Sequence, residues 1–122
     1  FDEPLFFERT LGVQGGRDFL QKFAAMSPET APTAVFSNGD EVAAGILSEA
    51  RKLKVAIPQD LAVLGFDDQP IAALTYPEIT TIRQPIAEMG AAAAKSLIAA
   101  IEGDSQPEIP TLATELIIRE TV

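Results

Sequence analysis

The chain has 122 residues, 47% of them hydrophobic and 22% charged, a composition typical of one soluble globular domain. Its 18 acidic residues against 9 basic ones give a net charge of −9, which disfavours nucleic-acid binding by this chain itself. The sequence has no cysteine and no histidine, which excludes disulfides, a Ser-His-Asp triad and metal sites built on those ligands. The absence of cysteine also fits a reducing cytoplasm.

Hydrophobic periodicity predicts an alternation of strands and helices. Helices are expected where apolar residues recur every three or four positions, and strands where short apolar runs lie between turn residues. The predicted elements are a strand at 4–7, a helix at 13–26, a buried strand at 33–37, a helix at 40–53, a strand at 61–66 covered on both faces, a helical turn at 71–74, a strand at 80–83, a helix at 86–103 and a strand at 116–118. Strand, helix, strand is a βαβ unit, so the fold class is α/β with a parallel sheet. The most apolar helix, at 86–103, is interrupted by charges and is not expected to cross a membrane.

Polar side chains follow two of the predicted strands. Asn38 and Asp40 come after the strand at 33–37, and Asp67 and Asp68 come after the strand at 61–66. Ligands in open α/β sheets bind beyond the carboxyl ends of the strands, and a right-handed crossover brings both ends to one edge. Carboxylates that accept hydrogen bonds, beside an amide that both donates and accepts, suit a sugar or a nucleobase.

Each of these residues also has a simpler interpretation. Asp40 is well placed as a first-turn helix acid, which spacing alone favours over ligand binding, although both roles could coexist. Asp67 and Asp68 precede Gln69-Pro70 and could serve only to make a turn. Neither the ligand spacing of a cation loop nor a phosphate-binding glycine motif is present, so we expect no metal and no cofactor. The two adjacent acids are also poorly placed for glycoside hydrolysis, and we expect no enzymatic activity.

Three segments resemble the LacI/GalR-type bacterial transcriptional repressors. They are FSNGDEVAAGIL at 36–47, VAIPQDLAVLGFDDQPIAAL at 55–74 and YPEITTIRQPIAEMGAAAA at 76–94, in the order and spacing of that family. The closing LATELIIRETV at 112–122 resembles the last strands of the family. The similarity is close from Thr33 to the end and looser over residues 1–30.

The resemblance implies an incomplete periplasmic-binding-protein-like type I fold, in which two α/β lobes enclose a small-molecule effector. By position, residues 1–83 and 111–122 would belong to the second lobe, and the helix at 86–103 would belong with a first lobe that is otherwise absent. Asp67 is then the best candidate for contacting the effector, followed by Asp40, Asn38 and, at the hinge, Gln84. Some family members carry Asn where this chain has Gly39, which leaves the identity of a bound sugar open.

The resemblance also implies what the module does and with which partners. We expect a cytoplasmic homodimer that couples binding of a small-molecule effector to operator affinity. The effector is expected to be a sugar or a purine-like molecule, with a sugar favoured. The segments 40–53 and 69–76 match the dimer face of the family, and DNA would be bound only through an N-terminal helix-turn-helix that this chain lacks. Since the chain begins at Phe1 without Met, we expect a C-terminal piece of such a regulator. The alternative is a periplasmic or transport-associated sugar-binding protein of the same fold, which a signal peptide upstream would indicate.

Overall fold

The computed structural model describes residues 11–103 and 110–122. The strand predicted at 4–7 and most of the connector that follows Gly103 lie outside these residues. The described elements are the helices α1 (Gly12–Ala24), α2 (Asp40–Leu53) and α3 (Ile86–Ile101), a 3-10 helix (Pro70–Ala73), and the strands β1 (Ala34–Phe36), β2 (Ala62–Phe66), β3 (Thr80–Arg83) and β4 (Glu115–Ile117). Every element predicted within the described residues is confirmed, to within two residues at each end.

The four strands form one sheet in the order β1-β2-β3-β4. β1 pairs with β2 and β2 with β3, both in parallel, with Phe36 opposite Leu64 and Phe66 opposite Ile82. The predicted βαβ unit is therefore confirmed. Because both pairs are parallel, the residues that follow β1, β2 and β3 emerge at the same edge of the sheet.

Two glycines bring α1 and α2 into close contact. A Cβ on Gly16 would collide with the carbonyl oxygen of Val42, and a Cβ on Gly45 would collide with that of Val13. Each helix backbone thus occupies the space that a side chain on the other would need. The apolar faces of the two helices supply most of the core, which β2, the 3-10 helix and the residues just before β2 and β3 complete. Its buried apolar members are Phe19, Leu20, Phe23, Ala43, Ala44, Ile46, Leu47, Ala50, Leu61, Val63, Ala72 and Ile79.

The predictions of full strand burial were wrong for β1 and β2. Phe36 is 60% exposed, and along β2 only Val63 and Gly65 are buried, whereas the other three residues of that strand are half-buried. The physical reason is that α2 packs on the face of β2 that carries Val63 and Gly65. On the other face, Phe36 and Phe66 meet edge to face, with ring centroids 6.1 Å apart, and stay partly open to solvent.

The chain divides into two compact units. The first comprises the residues up to Arg83 together with Leu116–Val122, and the second comprises Gln84–Glu115. The helix of the second unit, α3, has no buried residue, and its large apolar side chains are exposed. Beside it lies an open groove of about 340 Å³, lined by Met89, Ala92, Ala93, Ser96, Pro110 and Leu112. Within residues 11–103 and 110–122, none of the helices combines the length and the apolar character of a membrane-spanning segment.

Candidate functional site

The structure brings together the two polar strand ends that the sequence singles out. Asp67 Oδ2 lies 4.0 Å from the position that a Cβ on Gly39 would occupy, so the end of β2 adjoins the loop between β1 and α2. Asn38 is exposed in that loop, and Ser37 is buried, with its hydroxyl donating to the carbonyl oxygens of Gly39 and Leu64, at 3.1 Å each. The glycine leaves room at Asp67 that a larger residue would fill.

Asp40 is fully buried, with 0% of its surface exposed. Its Oδ1 accepts a hydrogen bond of 2.6 Å from the hydroxyl of Thr81, and its Oδ2 accepts one of 2.7 Å from the backbone N–H of Gln69. One carboxylate therefore joins the start of α2 to β3 and to the loop after β2. This arrangement gives Asp40 a structural role behind the site, and its contact with an effector stays a prediction.

Gly65 makes room for the buried carboxylate. A Cβ at this position would collide with Oδ1 of Asp40 and would lie 3.0 Å from Cγ2 of Ile79. The buried position of Asp40 therefore requires glycine at 65, because any side chain on Gly65 would displace Asp40 from its two hydrogen bonds. The motif GFDD thus combines a glycine that packs against Asp40 with the two acids that follow.

The two acids at the end of β2 have unusual backbone conformations. Asp67 has φ 95° and Asp68 has φ 51°, a region that residues with a side chain rarely occupy. The backbone N–H of Asp67 donates to the carbonyl oxygen of Ile82 at 2.9 Å, which extends the pairing of β2 with β3 by one residue. Strained backbone of this kind concentrates at functional sites, where the surrounding contacts hold it in place.

Asp68 is an ion-pair centre. Its Oδ2 accepts from Nε of Arg83 and its Oδ1 from Nη2 of Arg119, both at 2.7 Å, and only 10% of its side chain is exposed. Burial by itself would raise the pKa of Asp68, but the hydrogen bonds and positive charges of Arg119 and Arg83 outweigh it and lower that pKa below its usual value. Asp68 therefore stays ionised, and its turn is held by contacts distant in sequence.

Sequence reasoning missed the partners of these acids. Nothing in the sequence pattern marks Thr81, Arg83 or Arg119 as neighbours of the site, because the pairs are separated by 13 to 51 residues. Gln84, predicted at the hinge, is half-buried and opens the second unit directly after Arg83. Among residues 11–103 and 110–122, no group of three or more acidic, histidine or cysteine side chains could hold a metal ion.

Comparison with known proteins identifies the family. A sequence profile of the periplasmic binding protein-like domain matches residues 5–122. The chain belongs to this family. LacI-type regulators are among the proteins that are similar to this chain. The NTD biosynthesis operon regulator NtdR of Bacillus subtilis is 45% identical over 92 residues, which are 74% of this chain and 28% of that protein. The ribose operon repressor of Halalkalibacterium halodurans is 38% identical over 110 residues, which are 85% of this chain and 32% of that protein.

Solved structures agree with the fold of the periplasmic binding protein-like domain. A LacI family transcriptional regulator from Lactobacillus casei with bound sucrose superposes with a TM-score of 0.81 at 36% identity, covering 98% of this chain and 44% of that one. A regulatory protein of the LacI family from Chloroflexus aggregans superposes with a TM-score of 0.80 at 36% identity, covering 93% of this chain and 41% of that one. The LacI-type α/β fold inferred from the sequence is confirmed. The chain spans about a third of the length of the curated relatives it matches.

Proposed function

We propose that the chain is part of the effector-binding module of a LacI-type transcriptional regulator and supplies one wall of a sugar site. The observation that carries the proposal is the superposition of 98% of the chain on a sucrose-bound LacI family regulator. It is supported by the convergence of Asp67 with the loop that carries Asn38 and Gly39 at the carboxyl edge of the parallel sheet. The module binds its effector without catalysis, in the cytoplasm.

In this proposal the polar residues have separate tasks. Asp67 accepts hydrogen bonds from sugar hydroxyl groups, and the exposed Asn38 makes further polar contacts from the neighbouring loop. Asp40 holds the Asp67–Gln69 loop from behind through the Gln69 N–H. Gln84 contributes from the segment that leads into the second unit, whose helix α3 belongs with a first lobe. Effector binding changes operator affinity in the whole regulator because the effector stabilises one arrangement of the lobes over another.

We infer that the whole regulator is a homodimer. Leu74 is 81% exposed and Tyr76 is 80% exposed, and both follow the 3-10 helix of the first unit. Large apolar side chains so open to water are typical of an interaction surface. The alternative of a transport-associated sugar-binding protein has the same fold, but relatives that match this chain are named as regulators of operons and of transcription.

Calorimetric titration with sucrose, glucose, ribose and arabinose tests the sugar site. Two proteins are titrated. One is a chimera in which this chain replaces the matching part of the Lactobacillus casei regulator, and the other is the 122-residue chain alone. We expect the chimera to bind at least one sugar and the chain alone to bind it at least about tenfold more weakly, because half of the contacts are missing. A folded chimera that binds none of the four sugars, or equal affinities in the two proteins, would contradict the proposal.

A pair of variants tests Asp67 in the same chimera. Asp67→Asn is expected to weaken sugar binding by about 10- to 100-fold, the usual effect of losing hydrogen bonds to a charged group. Asp18→Asn is the matched control, because it removes a carboxylate on α1 that accepts a hydrogen bond from Gln14, four residues away in the same helix. Equal affinities in the two variants would remove Asp67 from the site.

A further inference from the structure

Two arginines that pair with Asp68 stand where the chain passes from one unit to the other. Arg83 is the last residue of the first unit before the chain enters the second, and Arg119 follows closely after the chain returns at Leu116. The carboxylate of Asp68 binds one of them with each oxygen. A single side chain therefore joins both connecting segments.

The bonds of Arg119 tie the second segment firmly to the sheet. Its Nη1 donates to the carbonyl oxygen of Ile79 at 2.8 Å, and its backbone N–H donates to the hydroxyl of Thr80 at 2.9 Å. Only 15% of its side chain is exposed, compared with 49% for Arg83. A largely buried arginine with several charge-assisted or carbonyl bonds has a defined position, so movement of its backbone must disturb Asp68.

Asp68 is also inseparable from Asp67. Both residues have positive φ, and two hydrogen bonds hold the loop that they form. The N–H of Asp67 donates to the carbonyl oxygen of Ile82, and the N–H of Gln69 donates to the carboxylate of Asp40. If Asp68 served only to make a turn, its carboxylate would bond to its own loop. Instead, both of its oxygens bond to residues 15 and 51 positions away. Rotation of its backbone would release the arginines and change the direction of Asp67 together.

We propose that Asp68 is a positioning residue that couples the Asp67 site to both connecting segments. The proposal rests on the proposed role of Asp67 as an effector ligand. An effector that fixes Asp67 also fixes Asp68, which holds Arg83 and Arg119 in the arrangement that fits the occupied site. Differential affinity for two arrangements of the connecting segments is what a ligand-driven switch requires.

Hydrogen–deuterium exchange of the 122-residue chain without any ligand tests the physical connection. Asp68→Asn is expected to speed exchange by about tenfold, as for one lost charge-assisted bond, at the amides of Asp67 and Gln69 and also at that of Arg119. Arg83→Gln, at a half-exposed position that tolerates change, is expected to speed exchange at Gln69. Glu49→Gln is the control, because it removes a carboxylate that binds Lys52 and Gln21 away from the loop. Faster exchange confined to residues 67–69 in Asp68→Asn would overturn the coupling.

The chimera described above tests the response to ligand with the sugar that it binds most tightly. In the unaltered chimera, the sugar should slow exchange at residues 83–86 and 115–119. Asp68→Asn should keep sugar affinity within about threefold and lose this protection. If Asp68 had a purely structural role, sugar affinity and sugar-induced protection would fall together or stay together. Retained protection in Asp68→Asn would overturn the proposal. If no sugar binds, the proposed sugar site fails, and the ligand-free exchange still decides the role of Asp68.

Discussion

Three aspartates at one edge of the sheet have three different environments. Asp40 is buried and bonded to backbone and hydroxyl groups, Asp68 is paired with two arginines, and Asp67 lies beside the loop at Gly39. Their chemistry is identical, so burial and partners make the difference. A carboxylate whose oxygens are both bonded within the protein serves the fold, and it influences a ligand through the residues that it holds.

The contact between Gly65 and Asp40 predicts a large effect of one methyl group. Gly65→Ala is expected to lower the free energy of unfolding by about 2–3 kcal/mol, because the added Cβ collides with the buried carboxylate. Gly90→Ala is the control. Apart from the backbone of its own helix, no heavy atom of the described residues lies within 4 Å of that Cβ, and alanine in a helix interior should raise stability by about 0.5–1 kcal/mol. Urea unfolding measures both, and equal stability of the two variants would refute this packing.

The lowered pKa of Asp68 predicts a pH dependence of stability. The unfolded chain, in which Asp68 has its ordinary pKa, takes up the proton at a higher pH than the folded chain. The contribution of Asp68 is therefore fully present above about pH 4 and is lost as the pH falls further, through its folded pKa. Between pH 7 and pH 3, Asp68→Asn should lose less stability in urea unfolding than the unaltered chain does. Equal losses of stability in the two chains would contradict this expectation.

At the scale of elements, the packing of α1 on α2 depends on backbone contact. Gly45→Ala is expected to lower the free energy of unfolding by at least about 2 kcal/mol, because its Cβ would meet the carbonyl group of Val13 and push the helices apart. Propensity alone would favour alanine by about 1 kcal/mol in the middle of a helix. Thermal unfolding against the Gly90→Ala control separates these effects, and a stabilised Gly45→Ala chain would show that the helices are not in close contact.

At the scale of the whole molecule, the exposed apolar side of α3 predicts self-association. Leu97, Ile98 and Ile101 are each more than half exposed, and burying them against another surface is favourable. We expect the 122-residue chain to form dimers or a swapped assembly in sedimentation at high concentration. The double variant Leu97→Glu, Ile101→Glu should associate more weakly than the unaltered chain, while Lys95→Glu, which changes the net charge equally, should associate as strongly as the unaltered chain. A monomeric unaltered chain would contradict this expectation.

The sequence by itself determined the order and type of the elements. Helical spacing defines α2 from Asp40 to Leu53, and Pro85 and Gly103 delimit α3, because these signals are local in the chain. The motifs at 36–47 and 55–74 also led to the family. The convergence of Asp67 with the loop at Gly39 followed from the parallel crossover, a general rule of topology.

Only the tertiary structure decided which acid does what. From the sequence, Asp40 and Asp68 were both open to ligand, helix-start or turn roles, and the strands β1 and β2 were expected to be buried. The roles of these two aspartates depend on Thr81, Arg83 and Arg119, which reach the site from β3 and the C-terminal segment. Burial and ion pairing depend on neighbours that are distant in the chain, and a local sequence pattern carries no information about those neighbours.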